Sequence, residues 1–334
     1  MKKVLLTGAD GFIGSHLTHS LLKNGYKVKA LSYYNSFNNY GWLDFTNSNS
    51  NKNLKIISGD ITDSSFVNSI SKNVDYIIHL ASLISIPYSF LSPNVYVNTN
   101  ITGTLNLLEA ASLNKIKKFI HTSTSEVYGT AQYTPIDENH PLNPQSPYAA
   151  TKVGADSLVN SYFFSRSIPV VTLRPFNVFG PRQSARAIIP TIISQCLQNT
   201  KSLNLGNLNS IRDFTYVEDT VDAYIKTLRS KNSKILGETL NIGSGYPITI
   251  ESLVKKIIKF TNYKGTLRVQ KQRLRPHRSE VEILHCQNTK AKKLIKWQIK
   301  ETKEKYFEKN LKETINWFED RDNLNRYKHT TYNI

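Results

Sequence analysis

The sequence predicts an α/β protein: a doubly wound parallel sheet with a smaller mixed α/β unit beside it. Three observations carry that expectation. Strand-like apolar runs alternate with helix-like stretches through residue 120, the order that gives a parallel sheet covered on both faces. The first run, Val4-Leu5-Leu6, leads directly into Gly8-Ala9-Asp10-Gly11-Phe12-Ile13-Gly14 and then a helix pattern. The chain has 334 residues, enough for one large domain or two smaller ones.

Taken in order, residues 15–23 read as the first helix, with Leu17, Leu21 and Leu22 inward and Gly25 at its stop. Strand, glycine turn and helix form the layout of a dinucleotide site, where backbone N–H groups approach a pyrophosphate at the helix N-terminus. The spacing here is G-x-x-G-x-x-G, and a tight turn with no ligand would use the same glycines. Residues 26–31 make the second strand. It ends near Ser32, Tyr33 and Tyr34, with neither a carboxylate for the ribose of NAD nor an arginine for the phosphate of NADP. NAD is favoured and NADP stays open. Residues 35–53, rich in Asn and Ser, read as a long loop. Residues 55–57 give a third strand running into Asp60, a partner for adenine or a helix cap. Residues 74–81 give a buried strand whose small end, Ala81-Ser82, suits a chain passing close to a cofactor. Residues 97–113 read as a helix.

The apolar run Phe119-Ile120-His121 ends in Thr122-Ser123-Thr124-Ser125-Glu126, and a helix pattern follows from Tyr148 and Lys152. A Tyr and a Lys four apart share one helix face. There an ammonium can lower the phenol pKa and make it a base. Alone, Tyr-x-x-x-Lys equally describes an ordinary surface helix. Residues 168–173 supply another strand. In the following stretch, Arg174 to Arg182, two prolines and a glycine argue against a regular element, so Asn177 and Arg182 are expected on a loop at the ligand edge of the sheet. Residues 188–197 read as a helix, residues 201–213 as short strands, and Thr249 as a cap. Residues 273–278 are the densest cation cluster. They read as a solvated loop, a nucleic-acid patch or a diphosphate site, and arginine favours the last. Residues 1–175, with about 214–240, are assigned to a dinucleotide-binding domain of Rossmann type. Residues about 176–213 and 241–320 are assigned to a substrate domain, and 321–334 to a polar, frayed tail.

The net charge of +18 comes from lysines spread along the chain among many asparagines. That pattern reads as compositional bias, and no nucleic-acid partner is expected. No run reaches the length of a membrane span, and the N-terminal apolar stretch is too short for a signal peptide. Two distant cysteines, Cys196 and Cys286, fit free thiols in a reducing, cytoplasmic compartment. No His pair has metal-ligand spacing, so no metal is expected; His16, His79 and His121 read as packed or capping residues.

Together, Gly8-x-x-Gly11-x-x-Gly14, Asp60, Thr124-Ser125-Glu126, Tyr148-x-x-x-Lys152, Arg174-Pro175-x-Asn177, Arg212-Asp213-Phe214 and Arg275-Pro276 resemble the extended short-chain dehydrogenase/reductase superfamily over nearly the whole chain. Within it, Tyr34-Asn35-Ser36-Phe37-Asn38, Gly41-Trp42-Leu43 and residues 180–190 resemble the 4,6-dehydratases of bacterial legionaminic acid synthesis. That resemblance implies an NDP-N-acetylglucosamine substrate, with GDP slightly favoured over UDP, a tightly held and recycled NAD, and a homodimer formed through a four-helix bundle. It implies cofactor contacts from Gly8, Gly11, Phe12, Ile13, Gly14, Ser32, Asn35, Ser36, Asp60, Ile61, Leu80, Ala81 and Ser82, with Tyr148 and Lys152. It implies substrate contacts from Ser85, Asn177, Arg182, Arg186, Arg212 and Arg275, and catalysis by Thr124, Ser125, Glu126, Tyr148 and Lys152. Ser125 stands where the dTDP-glucose type of dehydratase has Asp, and Thr-Ser-Glu also occurs in GDP-mannose dehydratases and some decarboxylases. A C4 epimerase or a decarboxylase is therefore the rival reading, with a non-catalytic nucleotide- or RNA-binding protein as a remote one.

Overall fold

The computed structural model describes residues 1–45, 51–299, 301, 303–328 and 332. Its centre is a seven-stranded sheet with every neighbouring pair parallel. The strands are β1 (Lys3–Thr7), β2 (Lys27–Tyr33), β3 (Leu54–Gly59), β4 (Tyr76–His79), β5 (Lys118–Thr122), β6 (Val170–Pro175) and, later in the chain, β10 (Thr239–Ile242). Their spatial order is β10-β6-β5-β4-β1-β2-β3. The winding reverses between β1 and β4, and a crevice opens at the carboxyl ends of strands that diverge in this way.

Successive residues of one strand serve opposite faces. Val4 and Leu6 join Leu17 and Leu21 of α1 (Phe12–Lys23) and the inner face of α8 (Val217–Arg229). Leu5 joins Val67 of α2 (Ser64–Ser71), Leu107 of α5 (Gly103–Leu113) and Val159 of α6 (Pro147–Arg166). Between β4 and α5 the chain forms two short helices, α3 (Ile86–Leu91) and α4 (Pro93–Tyr96), then a π-helical turn over Val97–Thr102. The helix expected over 97–113 thus has a bulged first turn.

The second part of the chain builds smaller layers on the carboxyl edge. β7 (Asn177–Phe179), β9 (Ile211–Tyr216) and β11 (Pro247–Thr249) form a mixed three-stranded sheet, and β8 (Ser202–Leu205) pairs with β12 (Thr266–Val269). Helices α7 (Ile188–Leu197), α9 (Ile250–Thr261), α10 (Thr289–Ile295), α11 (Lys303–Glu319) and α12 (Arg321–Leu324) complete the fold. The phenyl rings of Phe179, Phe214 and Phe307 meet in its core. Thr249 caps α9 by accepting from the Ser252 N–H, as its position suggests.

Four expectations need correction. The first helix begins three residues early, at Phe12, because the glycine turn feeds it directly. Residues 177–179 are strand, since the prolines flank them and their backbone pairs with β9. The boundary at residue 240 falls inside β10, which belongs to the large sheet. The tail from residue 321 is not simply frayed: Asp320 caps α12, and Leu324 and Tyr327 are buried. Among the described residues, no helix is long and apolar enough to cross a membrane.

Candidate active site

Gly8 adopts φ +67, and a Cβ there would stand 2.8 Å from the backbone nitrogen of Ala81, so the β1 turn and the end of β4 touch. Thr7 reinforces that contact: its Oγ1 accepts from the N–H groups of Leu80 and Ala81 and pairs with His79 Nδ1 at 2.8 Å. A Cβ on Gly14 would lie 2.0 Å from the Gly8 carbonyl oxygen. Gly11 differs: its Cβ would meet only that same oxygen, at 3.4 Å, an ordinary contact. Among the described residues nothing else beyond its chain neighbours lies within 4 Å of that position, which leaves room for a group approaching from outside. The N-terminus of α1 has no side-chain cap and no acid in its first turn, so the N–H groups of Phe12, Ile13 and Gly14 face that space unpaired by side chains. The residues present fit the pyrophosphate of a dinucleotide.

The other expected cofactor residues divide. Ser32 is buried and donates to Asp10 Oδ2. Asn35 is spent on its own turn, donating to the Asn39 carbonyl and accepting from the Phe37 N–H, and Ser36 is exposed. Asp60 accepts from the Thr62 N–H, while Asp63 caps α2, so capping does not explain Asp60. The Ile61 side chain packs in the core against Gly103. The Ile61 carbonyl accepts from Asn106 Nδ2 at 3.0 Å. Leu80, Ala81 and Ser82 line the switch point, and Ser82 donates to Asn100 Oδ1 at 2.9 Å.

Ser146 caps α6 by accepting from the Ala149 N–H, and Pro147 opens the helix, which fixes Tyr148 and Lys152 one turn apart on its inner face. Both are almost fully buried. The Lys152 Nζ donates to the Thr122 carbonyl at 2.7 Å, and burial pushes its pKa down to about 8. Burial pushes the Tyr148 phenol up, against a hydrogen bond with Thr124 that favours ionisation. The expectation that Lys152 lowers the phenol is therefore corrected for this structure: desolvation dominates, and the ammonium's hydrogen bond goes to β5 instead.

Thr124 also accepts from the Glu126 N–H at the start of a 3-10 turn over Ser125–Tyr128. That turn ends at Gly129, φ +64, where a Cβ would strike the Asn143 carbonyl. The turn directs Glu126 into the cleft, where its charge raises the Tyr148 phenol and favours the Arg212 cation. Its Oε2 lies 3.7 Å from Arg275 Nη1. Ser125 beside it is buried. Arg212 is buried, bonded to the carbonyls of Ile211 and Glu282 and 3.5 Å from Glu280. Helix α6 and the turn after β5 thus contribute a phenol and a carboxylate, and the second part contributes two guanidinium groups.

Ser85 Oγ and Asn177 Oδ1 are buried without a hydrogen-bond partner. Arg186 is exposed and interacts electrostatically with Tyr96, whose ring packs edge-on to Tyr148. Arg182 takes φ +70 and directs Nη1 to Ser15 Oγ in the first turn of α1 at 3.3 Å, beside the glycine turn. A cavity of about 380 Å³ between 285–289 and 298–306 contains none of these residues.

Three features escaped the sequence reading. Asn100, in the π-helical turn, accepts from Ser82 Oγ and the Leu83 N–H and donates to Thr151 Oγ1, joining the β4 edge to α6. A buried Asn among small and apolar residues was the available signal. Asp156, one turn beyond Lys152, accepts from Arg174, His121 and Ser123 beneath the site. Asp10 reaches the end of β2.

Residues 5–310 match the family described as GDP-mannose 4,6 dehydratase. The chain belongs to this family. It is an extended short-chain dehydrogenase/reductase of the nucleotide-sugar dehydratase and epimerase group. The dTDP-D-glucose 4,6-dehydratase of Dictyostelium discoideum is 35% identical over 279 residues, covering 78% of this chain but 62% of that one, so the chain spans less than two thirds of that relative. The dTDP-glucose 4,6-dehydratase DesIV of Streptomyces venezuelae, solved with NAD and TYD bound, superposes with a TM-score of 0.87 at 25% identity, covering 98% of this chain and 100% of that one. The UDP-N-acetylglucosamine 4-epimerase of Methanobrevibacter ruminantium M1, solved with UDP-N-acetylmuramic acid, gives a TM-score of 0.83 at 33% identity, covering 95% and 98%.

Proposed function

We propose that this chain is a cytoplasmic 4,6-dehydratase that converts an NDP-N-acetylglucosamine, GDP-linked slightly ahead of UDP-linked, to its 4-keto-6-deoxy form, as in legionaminic acid synthesis. NAD is the proposed cofactor. The observation that carries the reading is the carboxylate of Glu126, which shares the cleft with Tyr148 and is faced by Arg212 and Arg275. A C4 epimerase needs no carboxylate in that place. The relatives named dehydratases support the same reading.

Tyr148 is to take the C4 hydroxyl proton as the phenolate, the form that the Thr124 hydrogen bond favours against burial, with Lys152 one turn along the helix. Bound NAD would supply the hydride acceptor at C4 and the hydride donor at C6. The resulting ketone acidifies the C5 proton, which Glu126 removes. The C6 hydroxyl leaves with a proton from Glu126 itself or through a water held by Ser125. Arg212 and Arg275 hold the diphosphate, and Ser85 and Asn177 offer their unpaired oxygens to the sugar. The division of labour follows the two parts of the chain, the large sheet binding the dinucleotide and the remainder binding the sugar nucleotide.

Incubation with GDP- and UDP-N-acetylglucosamine followed by mass analysis tests this. Loss of one water supports dehydration, and an unchanged mass or loss of carbon dioxide overturns it. The Glu126→Gln variant should oxidise C4 and reduce cofactor without losing water; equal loss of both steps would count against Glu126 as the base at C5. A C4 epimerase is the second reading, favoured by the match to the UDP-N-acetylglucosamine 4-epimerase and by Ser125 in place of an acid.

A homodimer through α5 and α6 is also proposed. Exposed apolar groups at Val97, Leu113 and Phe164, on or beside those helices, support it. Light scattering at monomer mass would refute it.

A further inference from the structure

The strand that should carry the ribose-binding acid lacks one, yet a carboxylate stands at its end. Asp10, between the first two glycines of the β1 turn, places Oδ2 3.2 Å from Ser32 Oγ and 3.1 Å from the Tyr33 N–H, accepting from both. The carboxylate therefore caps the carboxyl end of β2 from the neighbouring turn.

The chain braces it there. The Trp42 N–H donates to the Asp10 carbonyl at 3.0 Å. Gly41 takes φ +57, and a Cβ on it would come within 2.7 Å of that carbonyl oxygen and 3.2 Å of Asp10 Cβ. The loop after β2 is thus packed onto the back of Asp10, and Trp42 is itself seated against Trp317 and Tyr327. No ion pair among those identified for the described residues involves Asp10. Its charge is not consumed by any of those ion pairs, and its backbone is held by Trp42 and Gly41.

We infer that Asp10 selects the dinucleotide, accepting hydrogen bonds from the ribose hydroxyls of NAD and excluding the 2′-phosphate of NADP by charge. The inference rests on the dinucleotide reading of the glycine turn and adds the residue that decides between the two cofactors. With Oδ2 held by Ser32 and the Tyr33 N–H, Oδ1 is the oxygen that accepts from the ribose hydroxyls. A phosphate of about −1.5 to −2 charge brought to the same place meets like charge.

The test is equilibrium dialysis of the full chain, stripped of bound nucleotide, against NAD and NADP in turn. The wild type should prefer NAD by at least about 100-fold, and Asp10→Asn should cut that ratio at least about tenfold. Asparagine keeps an acceptor for the Tyr33 N–H, and an unchanged melting temperature confirms that the fold survives. A ratio within twofold of wild type in the folded variant overturns the assignment. So does a wild type that binds both dinucleotides equally, a result that needs no variant. If the wild type binds neither, the dinucleotide reading itself fails and the inference falls with it; NAD binding with an unmoved ratio removes Asp10 alone.

Discussion

Replacing Asp156 by asparagine keeps the shape of the side chain and removes a charge from beneath the active site. In the wild type, Oδ2 accepts from Arg174 Nε at 3.2 Å, Arg174 Nη2 at 2.9 Å and Ser123 Oγ at 2.8 Å, and Oδ1 is 3.1 Å from His121 Nε2. An amide can stand in for these contacts, because His121 can turn its ring proton to Nδ1 and accept at Nε2. Charge compensation cannot be replaced: the Arg174 side chain is 8% exposed and would be left a buried cation facing a neutral amide and Tyr128, with no carboxylate to balance it. Breaking such a pair from one side costs about 3–5 kcal/mol. An independent figure comes from the carboxyl itself, which these partners hold at about 2 against an ordinary 3.8, a displacement worth roughly 2.5 kcal/mol. A loss of about 3 kcal/mol at pH 7 is expected in urea unfolding. Because the folded pKa is depressed, this stabilisation is complete above pH 3.8 and disappears as the pH falls through about 2. The variant should lack that acid limb. The double variant Asp156→Asn, Arg174→Met should recover part of the loss, since it removes the stranded cation. A single-variant loss below about 1 kcal/mol, or strictly additive losses in the double variant, would refute the reasoning.

Gly14→Ala should disrupt the β1 turn, because its methyl would sit 2.0 Å from the Gly8 carbonyl, costing about 1–3 kcal/mol and dinucleotide retention. Gly11→Ala should leave the melting temperature within a degree or two, roughly 0.5 kcal/mol, while weakening dinucleotide binding at least about tenfold in dialysis. His16, held at about 4 by burial and by the nearby Arg182, is neutral in the fold and takes up a proton on unfolding below pH 6.5. Stability should therefore fall between pH 6.5 and about 4 by on the order of 3 kcal/mol from this residue. His16→Gln, which keeps a donor for the Pro181 carbonyl, should flatten that slope in urea titrations at several pH values. Tyr148→Phe should abolish cofactor reduction while substrate affinity stays within about threefold, and undiminished turnover would remove it as the base.

The large sheet was legible because its strands are apolar runs and its first turn is spelled in glycine. The spacing of Tyr148 and Lys152 fixed their shared face for the same local reason. What periodicity could not convey was depth: burial reverses the expected direction of the Tyr148 phenol and spends the Lys152 ammonium on a carbonyl of β5. Long-range reach was also hidden. Only the folded β2 shows that the Asp10 carboxylate meets Ser32 and the Tyr33 N–H, and only the folded chain brings Arg182 to Ser15, 167 residues away. The strand over Asn177–Phe179 depends on a partner more than thirty residues later, which no local reading of its prolines could supply.

Two of the three tryptophans, Trp42 and Trp317, lie in contact, 5.7 Å between ring centroids, with Tyr327 against both. The third, Trp297, is buried apart from them with its Nε1 bonded to the Asp219 carbonyl. Because Trp42 is fastened to the backbone of Asp10, the pair forms an intrinsic emission probe coupled to the glycine turn and the end of β2, where the adenosine is proposed to lie. Its quenching on titration would report occupancy without any label, with Trp297 as the steady background.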